Sequence, residues 1–325
     1  MSFHSESLLK RPQVGGIGMQ IDGQTALVGV MGWPVAHSLS PLMHNTVFTH
    51  LGLNWCYVPL PVDPRDLKRA VAGLVAAGFR GFNVTVPHKQ AIFALVDTLT
   101  PEARAVGAVN TVIVKRDAAG CVYLEGHNTD VAGFIGDLRS AGFEPGGDVR
   151  ALVVGAGGAA RAVVFGLLHA GVRDLLLVNR TPSRAHGLAR EISERFPAAR
   201  LQVRSWTEDI IVESADRVDL LVNATTLGMW PNLEGSPWPE GVPVPQNLTV
   251  YDLVYNPLET ALLRTARASG ARAISGIGML ARQGALALAR WVSLPVDIDV
   301  VTALMRGVCV ARLGHRGEVA VDPSL

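Results

Sequence analysis

The stretch Asn83-Val84-Thr85-Val86-Pro87-His88-Lys89 gathers the residues best placed to do chemistry. On a strand, Asn83 and Thr85 face one side while Val84 and Val86 face the other. Pro87 suits a first helical turn, which puts Lys89 near a helix N-terminus, where the macrodipole prefers negative charge. Stability alone does not select a cation there. The chain has only four lysines, Lys10, Lys68, Lys89 and Lys115, against 25 arginines, so a lysine at this point is a candidate proton carrier, the alternative being a snorkelling surface lysine. Two further hydroxyls, Ser38 and Ser40, precede Pro41; in an extended segment they share a side, and Ser40 alternatively caps a helix starting at Pro41. Asn110 stands in an apolar strand, where a buried amide needs partners. Asp130 opens a helix, either as a favourable start or as a carboxylate aimed into a cleft. Gln283 lies in the early turns of a later helix, its amide directed to that cleft or to solvent. Hydroxyls, amides, one ammonium and one carboxylate suit a polar small molecule and proton transfer at one of its oxygens.

A second stretch supplies a place for a cofactor. Ala151-Leu152-Val153-Val154 is a short apolar run of the kind buried on both faces of a sheet, and it turns at Gly155-Ala156-Gly157-Gly158 into an Ala-rich helix. Gly155, Gly157 and Ala160 fit G-x-G-x-x-A: the first Gly permits the turn, the second lets backbone approach a pyrophosphate, and the small third residue packs helix on strand. The diphosphate then sits on the free N–H groups of the helix start. The next apolar strand, Asp174 to Val178, ends in Asn179-Arg180-Thr181-Pro182-Ser183-Arg184. A binder of NAD usually carries an acid there for the ribose 2′-OH. Asn179 instead, with Arg180 and Arg184 able to face a 2′-phosphate, favours NADP. Thr181 also suits a helix cap with Pro182 in the first turn.

Composition narrows the classes. At 325 residues and 49% apolar content the chain can build two cores, and a net charge of +1 leaves no footprint for nucleic acid or an acidic membrane. The partner expected is a small molecule. Cys56, Cys121 and Cys309 are odd in number and far apart, and none of the nine histidines forms a zinc-binding pattern, so neither a disulfide framework nor a metal is expected. The N-terminal residues lack an apolar signal core, and apolar runs are broken before membrane-spanning length; a cytoplasmic protein is expected.

The elements that must position these residues show an α/β rhythm. Residues 1–24 form a flexible arm. Strands are expected at 25–31, 55–60, 82–86, 109–114 and 121–125, with helices at 41–51, from 63 to 77, a short turn at 101–105, and 131–141. After the linker Pro145-Gly146-Gly147 come strands at 151–154, 174–178, 201–204, 218–222 and 248–253, with helices between the first three. Residues 230–246, rich in proline, form a long loop, with Trp230 and Trp238 packed beneath it. Helices come next at 258–269 and around Gln283, and a last one at 300–313 packs back on the first domain.

Taken in order, Ser38-Leu39-Ser40-Pro41, Asn83 to Lys89, Asn110-Thr111, Asn128-Thr129-Asp130, Gly155 to Arg161, Asn179-Arg180-Thr181, Asn223-Ala224-Thr225 and Gly276 to Gln283 make the chain resemble the shikimate dehydrogenase family, including its quinate/shikimate dehydrogenases. The resemblance implies a substrate domain with a mostly parallel open sheet (25–130 and 279–325) and a Rossmann-type NADP-binding domain (131–278). It implies NADP-dependent interconversion of 3-dehydroshikimate and shikimate in aromatic amino-acid biosynthesis, with Lys89 and Asp130 as the catalytic pair. Ser38, Ser40, Asn83, Thr85, Asn110, Tyr255 and Gln283 would hold substrate. Gly155, Ala156, Gly157, Gly158, Ala159, Asn179, Arg180, Thr181, Arg184, Leu253 and Gly276 would contact NADP. No metal is implied, and a monomer or homodimer is expected. The arm before the first strand departs from the family pattern. Quinate oxidation and a non-catalytic sensor are the alternatives.

Overall fold

A computed structural model describes residues 20–292 and 294–314; the expected N-terminal arm up to residue 19 and the tail after Gly314 lie outside the described residues. The first sheet is built from β1 (Ala26–Gly32), α1 (Ser40–His50), β2 (Trp55–Pro61), α2 (Leu67–Ala76), β3 (Gly81–Val84), β4 (Thr98–Leu99), α3 (Pro101–Val106), β5 (Thr111–Arg116) and β6 (Val122–His127). Its strand order is β2-β1-β3-β5-β6-β4, and β5 alone runs against the rest. β1 is the reason this sheet is an inner layer. Its last five residues are all buried, as expected of a strand covered on both faces.

The second sheet comes after α4 (Asp130–Ser140). It comprises β7 (Arg150–Val154), α5 (Gly158–His169), β8 (Asp174–Asn179), α6 (Pro182–Ser193), β9 (Arg200–Ser205), α7 (Glu208–Ala215), β10 (Leu220–Asn223), β11 (Thr249–Asp252), α8 (Ala261–Ala268) and β12 (Arg272–Ser275). The order β12-β11-β10-β7-β8-β9 is parallel throughout. The order in which strands are added reverses between β7 and β10, and the crevice at the carboxyl ends of those strands is where open α/β sheets take ligands. β4, β12 and α7 are elements the sequence did not announce. β4 has two residues, β12 is a four-residue edge, and α7 depends on one cap, Thr207, whose hydroxyl accepts from the Ile210 N–H at 3.2 Å.

α9 (Ile277–Trp291) and α10 (Ile298–Gly314) return to the first sheet, where Ala281, Ala285, Leu288, Trp291, Met305 and Cys309 join the core of β1, β2 and α1. α9 also lies along α4. Gly133 and Gly136 permit that approach: a Cβ on Gly133 would sit 2.8 Å from the Gln283 Cβ, and one on Gly136 would strike the Arg282 side chain. Asp137 closes the seam, accepting from the Tyr251 hydroxyl at 2.6 Å where Gly278 has no side chain to obstruct it. In the 230–246 loop, Trp238 is buried and donates to the Val242 carbonyl at 2.8 Å, as expected; Trp230 is 55% exposed, against expectation.

α8 starts three residues later than the pattern suggests because Thr260 is its cap. The Thr260 hydroxyl accepts from the Leu263 N–H and donates to the buried Asp252 carboxylate at 2.6 Å. Asp252 also accepts from Asn223 at 2.9 Å and from the Val254 N–H at 3.0 Å, yet burial outweighs these uncharged donors and raises its pKa from 3.8 to about 6. The folded state thus holds an extra proton between those values, and the stability from this group falls as pH rises through that window, by about 3 kcal/mol at roughly 1.36 kcal/mol per pK unit. Chemical denaturation of Asp252→Asn from pH 4 to 7 should show a flatter loss of stability than the unsubstituted chain. An identical slope would exclude this carboxyl as its source.

Candidate active site

The geometry begins at the start of α4. Thr129 occupies the cap position but its side chain does not cap; the Asn128 side-chain oxygen takes the N–H groups of Asp130 and Val131 at 3.1 and 3.3 Å. The Asp130 carboxylate is thereby free of the helix start. Its Oδ2 accepts from Lys89 Nζ at 2.7 Å and its Oδ1 from Asn110 Nδ2 at 2.8 Å. The two side chains of the ion pair are 14% and 5% exposed. Asn110 is aimed by the same segment: its Oδ1 accepts from the Thr129 N–H at 2.8 Å, and its Nδ2 also donates to Thr129 Oγ1 at 2.9 Å and reaches Gln283 Oε1 at 3.5 Å. Four residues named from sequence, Lys89, Asn110, Asp130 and Gln283, therefore share one polar centre. Lys89 keeps the protons not given to Asp130, so its ammonium can serve a further oxygen.

The segment before Lys89 differs from the expected helix start. β3 ends at Val84, Thr85 and Pro87 lie in the turn beyond it, and after Lys89 the chain makes a single 3-10 turn, Ala91–Ala94. So short a turn presents no macrodipole against which to weigh the cation. Lys89 is held instead by backbone, its carbonyl accepting from the Val109 N–H at 2.9 Å. His88 projects elsewhere, its Nε2 bonded to the Val62 carbonyl at 2.7 Å. Thr85 is half-buried beside Gly32, with its N–H on the Met31 carbonyl at 2.8 Å.

Asn83 is buried, and both its N–H groups are in use, to the Asn110 carbonyl at 3.1 Å and Thr111 Oγ1 at 2.9 Å. Its Oδ1 accepts from the Tyr57 hydroxyl at 2.7 Å. Tyr57 is the residue that sequence reasoning missed. Asn45 grips its backbone by two bonds, at 2.9 and 2.7 Å, and the buried ring of His44 stacks on it at 4.2 Å. Burial alone holds that imidazole neutral, with a pKa of about 3. Its strand, β2, is separated from β3 by β1, and the phenol reaches across that strand to the Asn83 amide. Ser38 and Ser40 are not on an extended segment: Leu39 between them is helical in φ and ψ, Ser40 opens α1 rather than capping it, and Ser38 Oγ accepts from the Ser40 N–H at 3.2 Å. Ser40 nevertheless lies beside the Tyr57 hydroxyl. Tyr255 is half-buried against the core under α9 and α10, with burial pushing its phenol to about 12.

The glycine turn faces this centre. Gly155 has φ +119 and its missing Cβ would lie 2.9 Å from the Ala224 carbonyl, so a left-handed residue with no side chain is required. Gly157 caps α5 without a side-chain bond and has open space where a Cβ would be, which leaves the helix N–H groups accessible to a diphosphate. A Cβ on Gly158 would lie 3.3 Å from the Lys89 Cδ. Lys89 thus runs along the mouth of the turn, with Ala156 and Ala159 half-buried around it. Leu253 and Gly276 adjoin one another, since a side chain on Gly276 would overlap the Leu253 carbonyl. At the end of β8, Asn179 Nδ2 donates to the Thr181 carbonyl at 2.8 Å, Thr181 is a cap whose hydroxyl makes no capping bond, and Arg180 and Arg184 are exposed. An uncharged amide with two solvent-facing guanidiniums fits a 2′-phosphorylated ribose. Among the described residues no group of three His, Cys, Asp or Glu is arranged to hold a metal ion.

Two family models match the sequence, the shikimate dehydrogenase substrate binding domain over residues 30–112 and shikimate / quinate 5-dehydrogenase over 138–233. The chain is 48% identical to the shikimate dehydrogenase (NADP(+)) of Rubrobacter xylanophilus over 289 residues, covering 89% of this chain and 98% of that one. It belongs to the shikimate dehydrogenase family. The corresponding enzyme of Moorella thermoacetica is 46% identical over 296 residues, 91% of this chain and 98% of that one. The crystal structure of shikimate 5-dehydrogenase from Thermus thermophilus in complex with NADP(H) and shikimate superposes with a TM-score of 0.74 at 39% identity, covering 87% of this chain and 100% of that one.

Within this family fold, the Tyr57 hydroxyl secures an amide on which Asn110 and Thr111 both depend. Tyr57→Phe leaves a buried acceptor on Asn83 and should cost about 1–3 kcal/mol of stability. Urea denaturation measures it, and an unchanged midpoint would show that the bond contributes nothing.

Proposed function

We propose that the chain catalyses the reversible NADPH-dependent reduction of 3-dehydroshikimate to shikimate, in the biosynthesis of aromatic amino acids. The observation that carries this reading is the buried Lys89–Asp130 pair lying along the mouth of the glycine turn. Residues 25–130 and 279–325 serve as the substrate domain, and 131–278 as the cofactor domain. Gly155 to Ala159 would hold the diphosphate, Asn179, Arg180, Thr181 and Arg184 would hold the phosphorylated ribose, and Leu253 and Gly276 would contact the cofactor. NADPH supplies, when bound, the hydride that goes to the ketone carbon.

The protein's own part is to bind, orient and protonate. Ser38, Ser40, Thr85, Tyr255 and Gln283 orient the carboxylate and hydroxyls of the substrate, with Asn83 and Asn110 setting the wall behind them. As negative charge grows on the ketone oxygen, the Lys89 ammonium donates a proton to it, and Asp130 holds the amine in line and favours its return to the charged form. In the reverse direction the neutral amine removes the hydroxyl proton. The low exposure of the pair keeps water from competing for that proton.

Among the described residues no helix is long and apolar enough to cross a membrane. The reading places the enzyme in the cytoplasm as a monomer or homodimer, with a small-molecule substrate and no nucleic-acid partner.

Turnover is read at 340 nm with 3-dehydroshikimate and NADPH, and in reverse with shikimate or quinate against NADP and NAD. Absence of turnover with every pair would refute the activity, and a higher kcat/KM for quinate would reassign the substrate. Lys89→Ala should lower kcat on the order of 10²–10⁴-fold with modest change in shikimate affinity. A near-normal kcat would remove Lys89 from the chemistry. Arg180→Ala should weaken NADPH much more than NADH in equilibrium titrations; equal losses would count against a phosphate contact.

A further inference from the structure

Arg161 lies one turn into α5, its N–H on the Gly157 carbonyl at 3.0 Å, in a helix whose other buried residues are uncharged. Its Nη1 donates to the Val106 carbonyl at 3.2 Å and to Glu191 Oε2 at 2.6 Å. Val106 ends α3, on the side of the first sheet, and the left-handed cap Gly107 makes room for the guanidinium: a Cβ there would lie 3.1 Å from Nη1. A cation from the cofactor side thus rests on the carboxyl end of a helix from the substrate side, where unpaired carbonyls favour it. Around it Val106, Ala108, Val131, Ala162 and Phe165 form a small buried cluster drawn from both sides.

The chain leaving Gly107 goes directly to the reacting groups. The Ala108 carbonyl accepts from Asn128 at 3.0 Å, the Val109 N–H donates to the Lys89 carbonyl at 2.9 Å, and the Asn110 amide donates to Asp130 at 2.8 Å. In the other direction, Arg161 is three residues from Gly158, the position against which the Lys89 stem lies. Arg161 makes no hydrogen bond to Lys89 or to Asp130, yet it anchors the backbone that supports both, at a fixed place relative to the glycine turn.

We propose that Arg161 is a positioning residue, a pin between α3 and α5 that sets where the Lys89–Asp130 pair stands relative to the cofactor turn. This rests on the reading of that pair as the proton-transfer machinery. A displacement of about 1 Å originating away from the chemistry can cost on the order of 10²-fold in rate. The pair with Glu191 is asymmetric, with side-chain exposures of 9% and 53%, so loss of the arginine leaves Glu191 to water rather than stranding a buried charge.

Arg161→Gln and Arg161→Lys, in the full chain, should be compared by steady-state kinetics with 3-dehydroshikimate, by NADPH titration, and by the primary isotope effect with NADPH deuterated at the transferred position. The glutamine variant should lose roughly 30–100-fold in kcat while KM and the NADPH Kd stay within about threefold, with a larger isotope effect on kcat, and lysine should restore part of the loss. A glutamine variant with kcat within threefold of the unsubstituted chain overturns the proposal. So does a loss of NADPH affinity as large as the loss of kcat, since Arg161 would then be a cofactor contact. If Arg161→Gln does not fold, Glu191→Gln decides, because it releases the second anchor: kcat must fall more than threefold at unchanged NADPH Kd, or the pin is refuted. An inactive unsubstituted chain defeats the functional reading and the pin together; an active one with an indifferent Arg161 defeats the pin alone.

Discussion

An ammonium and a carboxylate kept together out of water impose the main demand on this molecule. Removing one partner of such a pair typically costs about 3–5 kcal/mol, because the other charge remains buried. The fold meets the demand by directing uncharged groups at the second carboxylate oxygen and at the lysine's backbone. Asn110 serves one, the Val109 N–H serves the other, and both stand on consecutive residues of a single segment. Asn128 completes the arrangement by taking over the capping of α4, which leaves the Asp130 carboxylate to Lys89 and Asn110.

That segment sits where two sheets meet, so its placement depends on how they are joined. α4 and α9 run between them, and their seam depends on missing side chains at Gly133, Gly136 and Gly278. Close backbone approach leaves little slack, and interiors packed in this way move as units. The reversal of strand order between β7 and β10 then sets the glycine turn opposite the ion pair. In the proposed mechanism, neither half makes a reaction centre alone.

Much of this was legible in the chain itself, and for definite reasons. A buried parallel strand running into a glycine turn has few alternatives, and Lys89 stands out by residue type against a background of arginine, whereas Asp130 reads equally as a helix start or a cleft carboxylate. Local rules failed where the deciding contact was distant. The supposed helix at Lys89 is a turn because its backbone pairs with Val109, twenty residues on, and α8 begins late because Thr260 answers to Asp252 at the end of β11. Tyr57 went unnoticed because nothing in β2 reveals which strand lies opposite its hydroxyl. Arg161 is, in sequence, the end of a glycine motif, and only the tertiary structure gives its side chain a partner.

Asp130 and Asp252 are both almost wholly buried, each accepts an asparagine amide, and each stands at the edge of the crevice, yet they are solved differently. Asp252 is met only by uncharged donors, Asn223, Thr260 and a backbone N–H, and burial drives it toward the neutral form. It behaves as a brace, tying the ends of β10 and β11 to the start of α8 beneath Leu253. Asp130 is met by a cation whose remaining protons are not committed to any of the described residues. A carboxylate paired with a mobile proton source can respond to charge as it appears on a substrate oxygen, whereas one satisfied by fixed dipoles cannot. In the proposed mechanism, the difference between a structural acid and a reactive one is the identity of a single neighbour.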